Sequence, residues 1–368
     1  MSVPSPGAAV RLRVLVIAFG LLAVIFTGTT FLARWYRRER LIRAHHAFVL
    51  GESLEAKGRG QEAIELFRDA LSVTNRPEYQ LAMAQGLIKL GRLDEASLYL
   101  HEILQHNPSE AYPNLLLARI AVDEKNDAQA INYYQRAIYG RWSSEPEAHS
   151  LDARWELAGF LIKTGRNKAA TAELLQLGDQ ARTTEARIKA ATMLLDLHSP
   201  NQAADLFREV LKTHPLNTAA LAGLGRAEMA LGDYRQARNA FASALRRNPA
   251  DSQVRASLSQ ADAILALDPT ERGLPFSERY ARSRRVLQRA LSDLLQCGET
   301  AAVHAAAQKQ IDAANALLRR SLPHRGNGAA EEANLAMAEQ LWDARRQACG
   351  PNAPPDEVLE RVLARIAK

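Results

Sequence analysis

The 368-residue chain carries a formal net charge of +6, with 24% charged and 47% hydrophobic residues. It is rich in Ala, Leu, Glu and Arg and lacks any alternating apolar and polar pattern, which predicts helices throughout and excludes a β-rich fold. Its length suits a helical solenoid followed by a smaller helical region. Because much of the positive charge flanks one apolar segment and no nucleic-acid-binding motif accompanies it, we expect no nucleic-acid partner.

An apolar segment near the N-terminus predicts a membrane anchor. After a short tail, residues 1–13, the twenty residues 14–33 contain no charged side chain. As a helix they span about 30 Å, which is the thickness of a bilayer core. A secretory signal peptide has a shorter apolar region and a small-residue cleavage site, and this segment lacks both features. We therefore expect a retained single-pass helix in a bacterial inner membrane, with cleavage as the alternative.

Basic residues crowd the far end of this segment, in the juxtamembrane residues 34–43. Five arginines lie there, against two in the N-terminal tail, and Trp35 and Tyr36 stand beside them as interfacial anchors. The positive-inside bias favours the cytoplasm for the part of the chain that follows. The alternative is the periplasm, which a disulfide between the two cysteines of the chain would imply.

A regular repeat follows the juxtamembrane residues. Six alanines are separated by 33, 34, 40, 33 and 34 residues, namely Ala63, Ala96, Ala130, Ala170, Ala203 and Ala237. Four residues after each comes a bulky apolar side chain: Phe67, Leu100, Tyr134, Leu174, Phe207 and Phe241. Twelve residues before each alanine stands a glycine or an alanine. A unit of this length cannot bury its own apolar face, so the period predicts an all-α solenoid of stacked units.

Residues 218–248 show how one unit is built. Apolar residues at helical spacing predict a first helix, and Gly232 ends it because glycine adopts the left-handed conformation without strain. Ala237 and Phe241 lie on one stripe of a second helix. Pro249 then closes the unit, since proline stops helix continuation. The pattern therefore predicts a helical hairpin.

These residues resemble the tetratricopeptide repeat (TPR) family. Its pattern of small and large residues is matched by Leu224-Gly225, Ala237, Phe241, Ala244 and Pro249, and the resemblance covers roughly residues 44–250. It implies a TPR solenoid over residues 44–267, with about six repeats and a partial terminal repeat. It also implies a protein or peptide partner, as in the anchored bacterial TPR proteins that serve envelope assembly, secretion or polysaccharide export.

The resemblance also nominates partner-binding residues. In TPR superhelices the first helix of each pair lines the concave face, and the nominated residues on those helices are Tyr112, Arg119, Trp155 and Arg226. Aromatic and arginine side chains on an apolar groove suit a helix or an extended peptide. The alternative is that some of these side chains pack inside a tight superhelix.

The 40-residue interval locates an inserted loop. Residues 139–146 contain glycine, serine and proline, which are typical of a loop between the third and fourth repeats. Loops inserted into solenoids lie on one face and can carry recognition, so we include Trp142 among the partner-binding candidates. The alternative is that Trp142 folds back to fill the gap between the shifted helices.

Beyond the repeats, residues 268–275 form a predicted linker and residues 276–368 a C-terminal helical region of unrecognised family. Three consecutive helices are predicted there, and the first and third are parallel if the chain packs up, down and up. Cys297 and Cys349 then lie at one end of the bundle, where a disulfide would stabilise the fold by roughly 4 kcal/mol. The alternative is two unrelated thiols.

No arrangement of residues predicts catalysis. The sequence lacks a phosphate-binding loop, a nucleophile elbow and a dinucleotide fingerprint, and His101 and His106 point to different faces of one helix. We therefore expect no metal, no cofactor, no small-molecule substrate and no enzymatic activity. The sequence favours a membrane-anchored scaffold or adaptor for protein–protein interactions. The alternative is a constitutive structural subunit of a larger membrane complex.

Overall fold

The computed structural model describes residues 6–297, 301–321, 328–349 and 356–367; the start of the predicted tail, residues 1–5, lies outside them. Throughout these ranges the regular elements are helices, without a named strand. One isolated bridge joins Glu110 and Arg141. The predicted all-α fold class is confirmed.

The chain divides into two compact units, Met1–Leu157 and Ala158–Lys368, which we call the N-terminal and C-terminal units. The first contains α1 (Pro6–Ala56), α2 (Gly60–Leu71), α3 (Pro77–Lys89), α4 (Leu93–His106), α5 (Ala111–Asp123) and α6 (Asp127–Tyr139). Helix α7 (Pro146–Lys163) begins in the N-terminal unit and ends in the C-terminal unit.

The predicted anchor and the first helix of the first repeat are one uninterrupted helix. Helix α1 runs for 51 residues, and its first buried described side chain is Ala44, which is 2% exposed. Among the described residues, one helix is long and apolar enough to cross a membrane; its segment Phe19–Ala56 contains an 18-residue window with mean hydropathy 1.2 and no buried residue. An anchor and a signal sequence both fit this length and composition.

The six repeating alanines are completely buried, each with 0% exposure. Their bulky partners are buried too, with exposures between 0% and 4%. In the first and last repeats the ring occupies space that a glycine leaves open. A Cβ atom on Gly51 would lie 2.6 Å from Cε1 of Phe67, and one on Gly225 would lie 2.5 Å from Cε1 of Phe241. The period in the sequence is therefore a packing period.

The turn inside each hairpin repeats with the same spacing. Six residues with left-handed backbone occupy these turns: Gly58, Gly91, Lys125, Gly165, His198 and Gly232. Glycine adopts this conformation freely, whereas a residue with a Cβ is strained by roughly 1–2 kcal/mol. The turns at Lys125 and His198, with φ of 59° and 55°, therefore carry strain that the other four avoid.

We expect the substitution His198→Gly to raise the free energy of unfolding by about 1 kcal/mol, because it removes this strain. The effect is measured as a shift of the denaturation midpoint of the full chain in detergent. His198→Ala is the matched control, since alanine also loses the imidazole but keeps the Cβ. Equal midpoints for the two variants would contradict the assignment.

The C-terminal unit continues with hairpins and ends in longer helices. It contains α8 (Asn167–Gln180), α9 (Thr184–Asp196), α10 (Pro200–Thr213), α11 (Thr218–Leu231), α12 (Tyr234–Arg247), α13 (Ser252–Leu267), α14 (Phe276–Cys297), α15 (Ala301–Leu318), α16 (Ala329–Ala348) and α17 (Glu357–Ile366). A single hydrophobic core joins the last hairpin, through Phe241, to Leu287 on α14, Leu341 on α16 and Leu363 on α17. The C-terminal helices thus share their core with the last repeat.

Candidate functional site

The inserted loop is folded back against its own unit. Backbone hydrogen bonds join Arg141 to Ser109 at 2.7 Å and to Ala111 at 3.0 Å, which fixes the loop to the start of α5. Gly140 is required at this close approach, because a Cβ there would lie 2.6 Å from the carbonyl oxygen of Arg136. The loop therefore packs as part of the N-terminal unit.

Trp142 is half-buried in this loop. Its indole Nε1–H donates a hydrogen bond to the carbonyl oxygen of Ala137 at 3.0 Å. Its ring stacks on His149, with centroids 5.1 Å apart and an interplanar angle of 30°, and lies 6.2 Å from the ring of Tyr112. Since the polar edge of the indole is satisfied internally, Trp142 contributes aromatic surface to its surroundings.

These rings form one wall of a cavity of about 660 Å³, which we call the α5–α7 pocket. It is lined by Tyr112, Leu115 and Arg119 of α5, by Trp142, Ser143 and Ser144 of the loop, and by His149, Asp152 and Glu156 of α7. The pocket lies between the first helices of two successive hairpins. Its size falls within the range of ligand pockets in proteins.

The polar wall of the pocket is organised around an ion pair. Arg119 donates two hydrogen bonds to Glu156, at 3.0 Å from Nε and 2.6 Å from Nη2. The hydroxyl of Tyr134 also donates to Glu156, at 3.4 Å, and burial raises the pKa of Tyr134 to about 12. The charge of Arg119 is therefore balanced within the pocket itself.

Two other polar groups of the pocket can still form hydrogen bonds or ion pairs. The Tyr112 hydroxyl accepts a hydrogen bond from Nε2 of Gln85 at 2.7 Å, which leaves its own hydrogen to donate. Asp152 is exposed at the pocket, and its carboxylate forms no hydrogen bond or ion pair with the described residues. The net formal charge of the lining, with His149 neutral, is therefore negative.

Three of the five nominated partner-binding residues, Tyr112, Arg119 and Trp142, thus meet in one pocket. Trp155 lies on α7, half-buried, and does not line the pocket; Arg226 lies exposed on α11 in the C-terminal unit. Their role in partner binding stays a prediction. Three further residues of the pocket, all on α7, were not predicted from the sequence: His149, Asp152 and Glu156. Their spacing of three and four residues indicates that they share one helix face.

The two cysteines lie in the C-terminal unit. Cys349 follows α16 and is disulfide-bonded, and Cys297, the other cysteine of the sequence, is the last residue of α14. The side chain of Cys297 lies outside the described part of the structure. Helices α14 and α16 pack against each other. The pairing of Cys297 with Cys349 remains a proposal.

Metal binding has no geometric support within the described ranges. No group of three or more His, Cys, Asp and Glu side chains is placed there to hold a metal ion.

Stacked helical hairpins with a ligand-sized pocket between their first helices define a helical-repeat protein of the protein-interaction class. Family models described as tetratricopeptide repeats match residues 30–79, 81–146 and 194–261, which together are half of the chain. The chain belongs to the tetratricopeptide repeat family. The resemblance predicted from the sequence is confirmed.

One curated relative is the putative cellulose synthase operon protein C of Escherichia coli O157:H7, 24% identical over 230 residues. The match takes in 61% of this chain but a fifth (20%) of that protein. The chain therefore spans a small part of the length of this relative.

Several solved structures are similar to this chain in fold, three of which follow. The C-terminal part of a TPR repeat-containing protein from Cytophaga hutchinsonii has a TM-score of 0.42 at 17% identity, covering 66% of this chain and 94% of that one. The type IV pilus biogenesis factor PilW has a TM-score of 0.35 at 18% identity, and the match covers 58% of this chain and 98% of PilW. YrrB, described as a TPR protein with an unusual peptide-binding site, has a TM-score of 0.38 at 17% identity. That match covers 52% of this chain and 97% of YrrB.

Proposed function

We propose that this chain is a membrane-anchored TPR scaffold, and not an enzyme, that binds protein partners in an envelope-assembly, secretion or polysaccharide-export complex. The observation that carries the proposal is the α5–α7 pocket, a ligand-sized cavity on the first helices of TPR hairpins. The partial match to a protein whose name refers to a cellulose synthase operon supports the polysaccharide setting. No small molecule, cofactor or nucleic acid belongs to the proposal.

The tether in this proposal is helix α1, with residues 14–33 in the bilayer. From Ala33 to Ala44, the first buried described residue, the helix rises about 16 Å. The repeats, which we place at residues 44–267, therefore begin close to the membrane surface. The exposed arginines of residues 34–43 lie along this short connection, where lipid headgroups would meet them.

Two observations bear on the side of the membrane, and they disagree. The five arginines after the span favour the cytoplasm, whereas a disulfide at Cys349 favours the periplasm. The positive-inside rule is a statistical bias, but the cytosol reduces most disulfides. We therefore propose a periplasmic solenoid, against the orientation that the charges alone predict. A topology reporter fused at residue 368 tests this directly.

Site-specific crosslinking tests the scaffold function. We expect a photocrosslinking amino acid at Ser143, on the exposed loop beside the pocket, to capture a specific protein in intact membranes. Leu98, which is 69% exposed on α4, is the matched control position, where we expect no such product. The same product from both positions, or none from Ser143 in folded protein, would count against the proposal. A fixed-stoichiometry assembly in mild detergent would instead favour the structural-subunit alternative.

A further inference from the structure

The α5–α7 pocket has one carboxylate that is not committed to the fold. Glu156 already accepts hydrogen bonds from Arg119 and Tyr134, so its charge is balanced and its oxygens are engaged. Asp152 lines the same pocket one helical turn earlier on α7, and its carboxylate is exposed and unpaired among the described residues. The pocket therefore presents uncompensated negative charge to whatever enters it.

The lining of the pocket also contains three aromatic rings. Trp142 has its N–H engaged with Ala137, so the indole offers π surface rather than a hydrogen-bond donor. The ring centroid of Tyr112 lies 6.2 Å from that of Trp142, and the ring of His149 stacks on Trp142 with centroids 5.1 Å apart. Aromatic faces attract cations through the ring quadrupole, most strongly for Trp and Tyr. Aromatic rings and an unpaired carboxylate that line one pocket form a site that is electrostatically complementary to a cation.

An anionic ligand fits the same pocket poorly. The one arginine of the lining, Arg119, has two of its nitrogens bound to Glu156, and an anion would have to compete with that bidentate pair. It would also face Asp152, a like charge. Charge complementarity thus selects a cationic group over a carboxylate or a phosphate.

We propose that the α5–α7 pocket binds the side chain of a lysine or arginine on an extended segment of a protein partner. The ammonium or guanidinium group pairs with Asp152, and its alkyl stem lies against Trp142 and Tyr112. A cavity of about 660 Å³ exceeds one such side chain, so neighbouring residues of the segment fill the rest. This inference rests on the proposed scaffold function and names the chemistry of its partner.

A random nonapeptide display library, panned against the full chain in detergent micelles, tests the inference. We expect the wild-type protein to enrich peptides with a lysine or arginine at a fixed position. Replacing that residue by norleucine should weaken binding about tenfold, because both the ion pair and the cation–π contact are lost. Asp152→Asn should weaken binding of the parent peptide about threefold. Asp152→Lys should abolish the basic preference.

The matched control is Asp94→Asn, which removes an exposed carboxylate from α4 outside the pocket. Circular dichroism and thermal midpoints identify any variant that loses its fold. Equal weakening by Asp94→Asn and Asp152→Asn would overturn the inference. So would enrichment of peptides without a basic position, although the scaffold function would then stand. Failure to enrich any peptide would overturn both the scaffold function and the inference. Binding of a cellohexaose probe instead would indicate a carbohydrate pocket and overturn the inference.

Discussion

Replacing Phe241 with alanine is expected to lower the free energy of unfolding by about 3–5 kcal/mol. The ring is 1% exposed and belongs to the core that joins the last hairpin to the C-terminal helices. It lies where a Cβ on Gly225 would be, so alanine leaves a cavity between two helices of one hairpin. Helical hairpins of a solenoid depend on such contacts with their neighbours, and the loss should be felt throughout the C-terminal unit.

Chemical denaturation of the full chain in detergent, followed by circular dichroism, measures this effect. The matched control is Leu98→Ala, because Leu98 is 69% exposed and its truncation should change stability by about 0.5 kcal/mol or less. Similar losses for the two variants would show that Phe241 does not fill the hairpin as described.

The packing between Phe241 and Gly225 can be tested as a pair. Gly225→Ala alone should destabilise, because the added methyl meets a ring that is buried on all sides. Combined with Phe241→Leu, the same methyl gains room, so the double variant should lose less than the sum of the single changes. Simple additivity would argue against direct contact.

The repeat could be predicted because its determinants are local in sequence. Each hairpin contains a small residue, an alanine twelve positions later and a bulky residue four positions after that. The same pattern therefore recurs in every repeat. The left-handed turns share the period but were visible only where glycine marks them. At Lys125 and His198 the surrounding hairpin imposes that conformation on other residues, which composition does not reveal.

The pocket was less predictable because it depends on contacts between repeats. The family register treats the first helix of each repeat separately and therefore nominated Arg119 as a charge available to a partner. In the structure its partner, Glu156, is 37 residues away in the sequence, beyond the inserted loop. Trp142 was placed correctly in a loop, but its position against His149 depends on how that loop returns to α7.

We expect Cys349→Ser to lower the free energy of unfolding by about 4 kcal/mol under oxidising conditions. The physical reason is entropic in the usual model: a bond from Cys349 to Cys297 closes a loop of about 50 residues and restricts the unfolded chain. Cys297→Ser should cost the same, and the double variant should cost no more than either single one. Denaturation with and without a reductant gives these values.

The comparison between variants tests the pairing separately from the size of the effect. Reduced wild-type protein should unfold like Cys349→Ser, since both lack the bond but keep the packing of α14 against α16. If Cys297→Ser leaves the stability unchanged while Cys349→Ser lowers it, the partner of Cys349 is not Cys297, and the loop argument fails. A larger loss in the double variant would indicate two independent packing effects rather than one bond.

The same bond reports the compartment, which decides the pool of possible partners. Protein isolated from membranes in the presence of a maleimide should show no mass increase if the solenoid lies in the periplasm, because both sulfurs are then oxidised. Two added maleimides would mean reduced thiols, and the five arginines of residues 34–43 would then have set the orientation by the positive-inside bias. In that case the basic segment predicted by the α5–α7 pocket should be sought among cytoplasmic proteins.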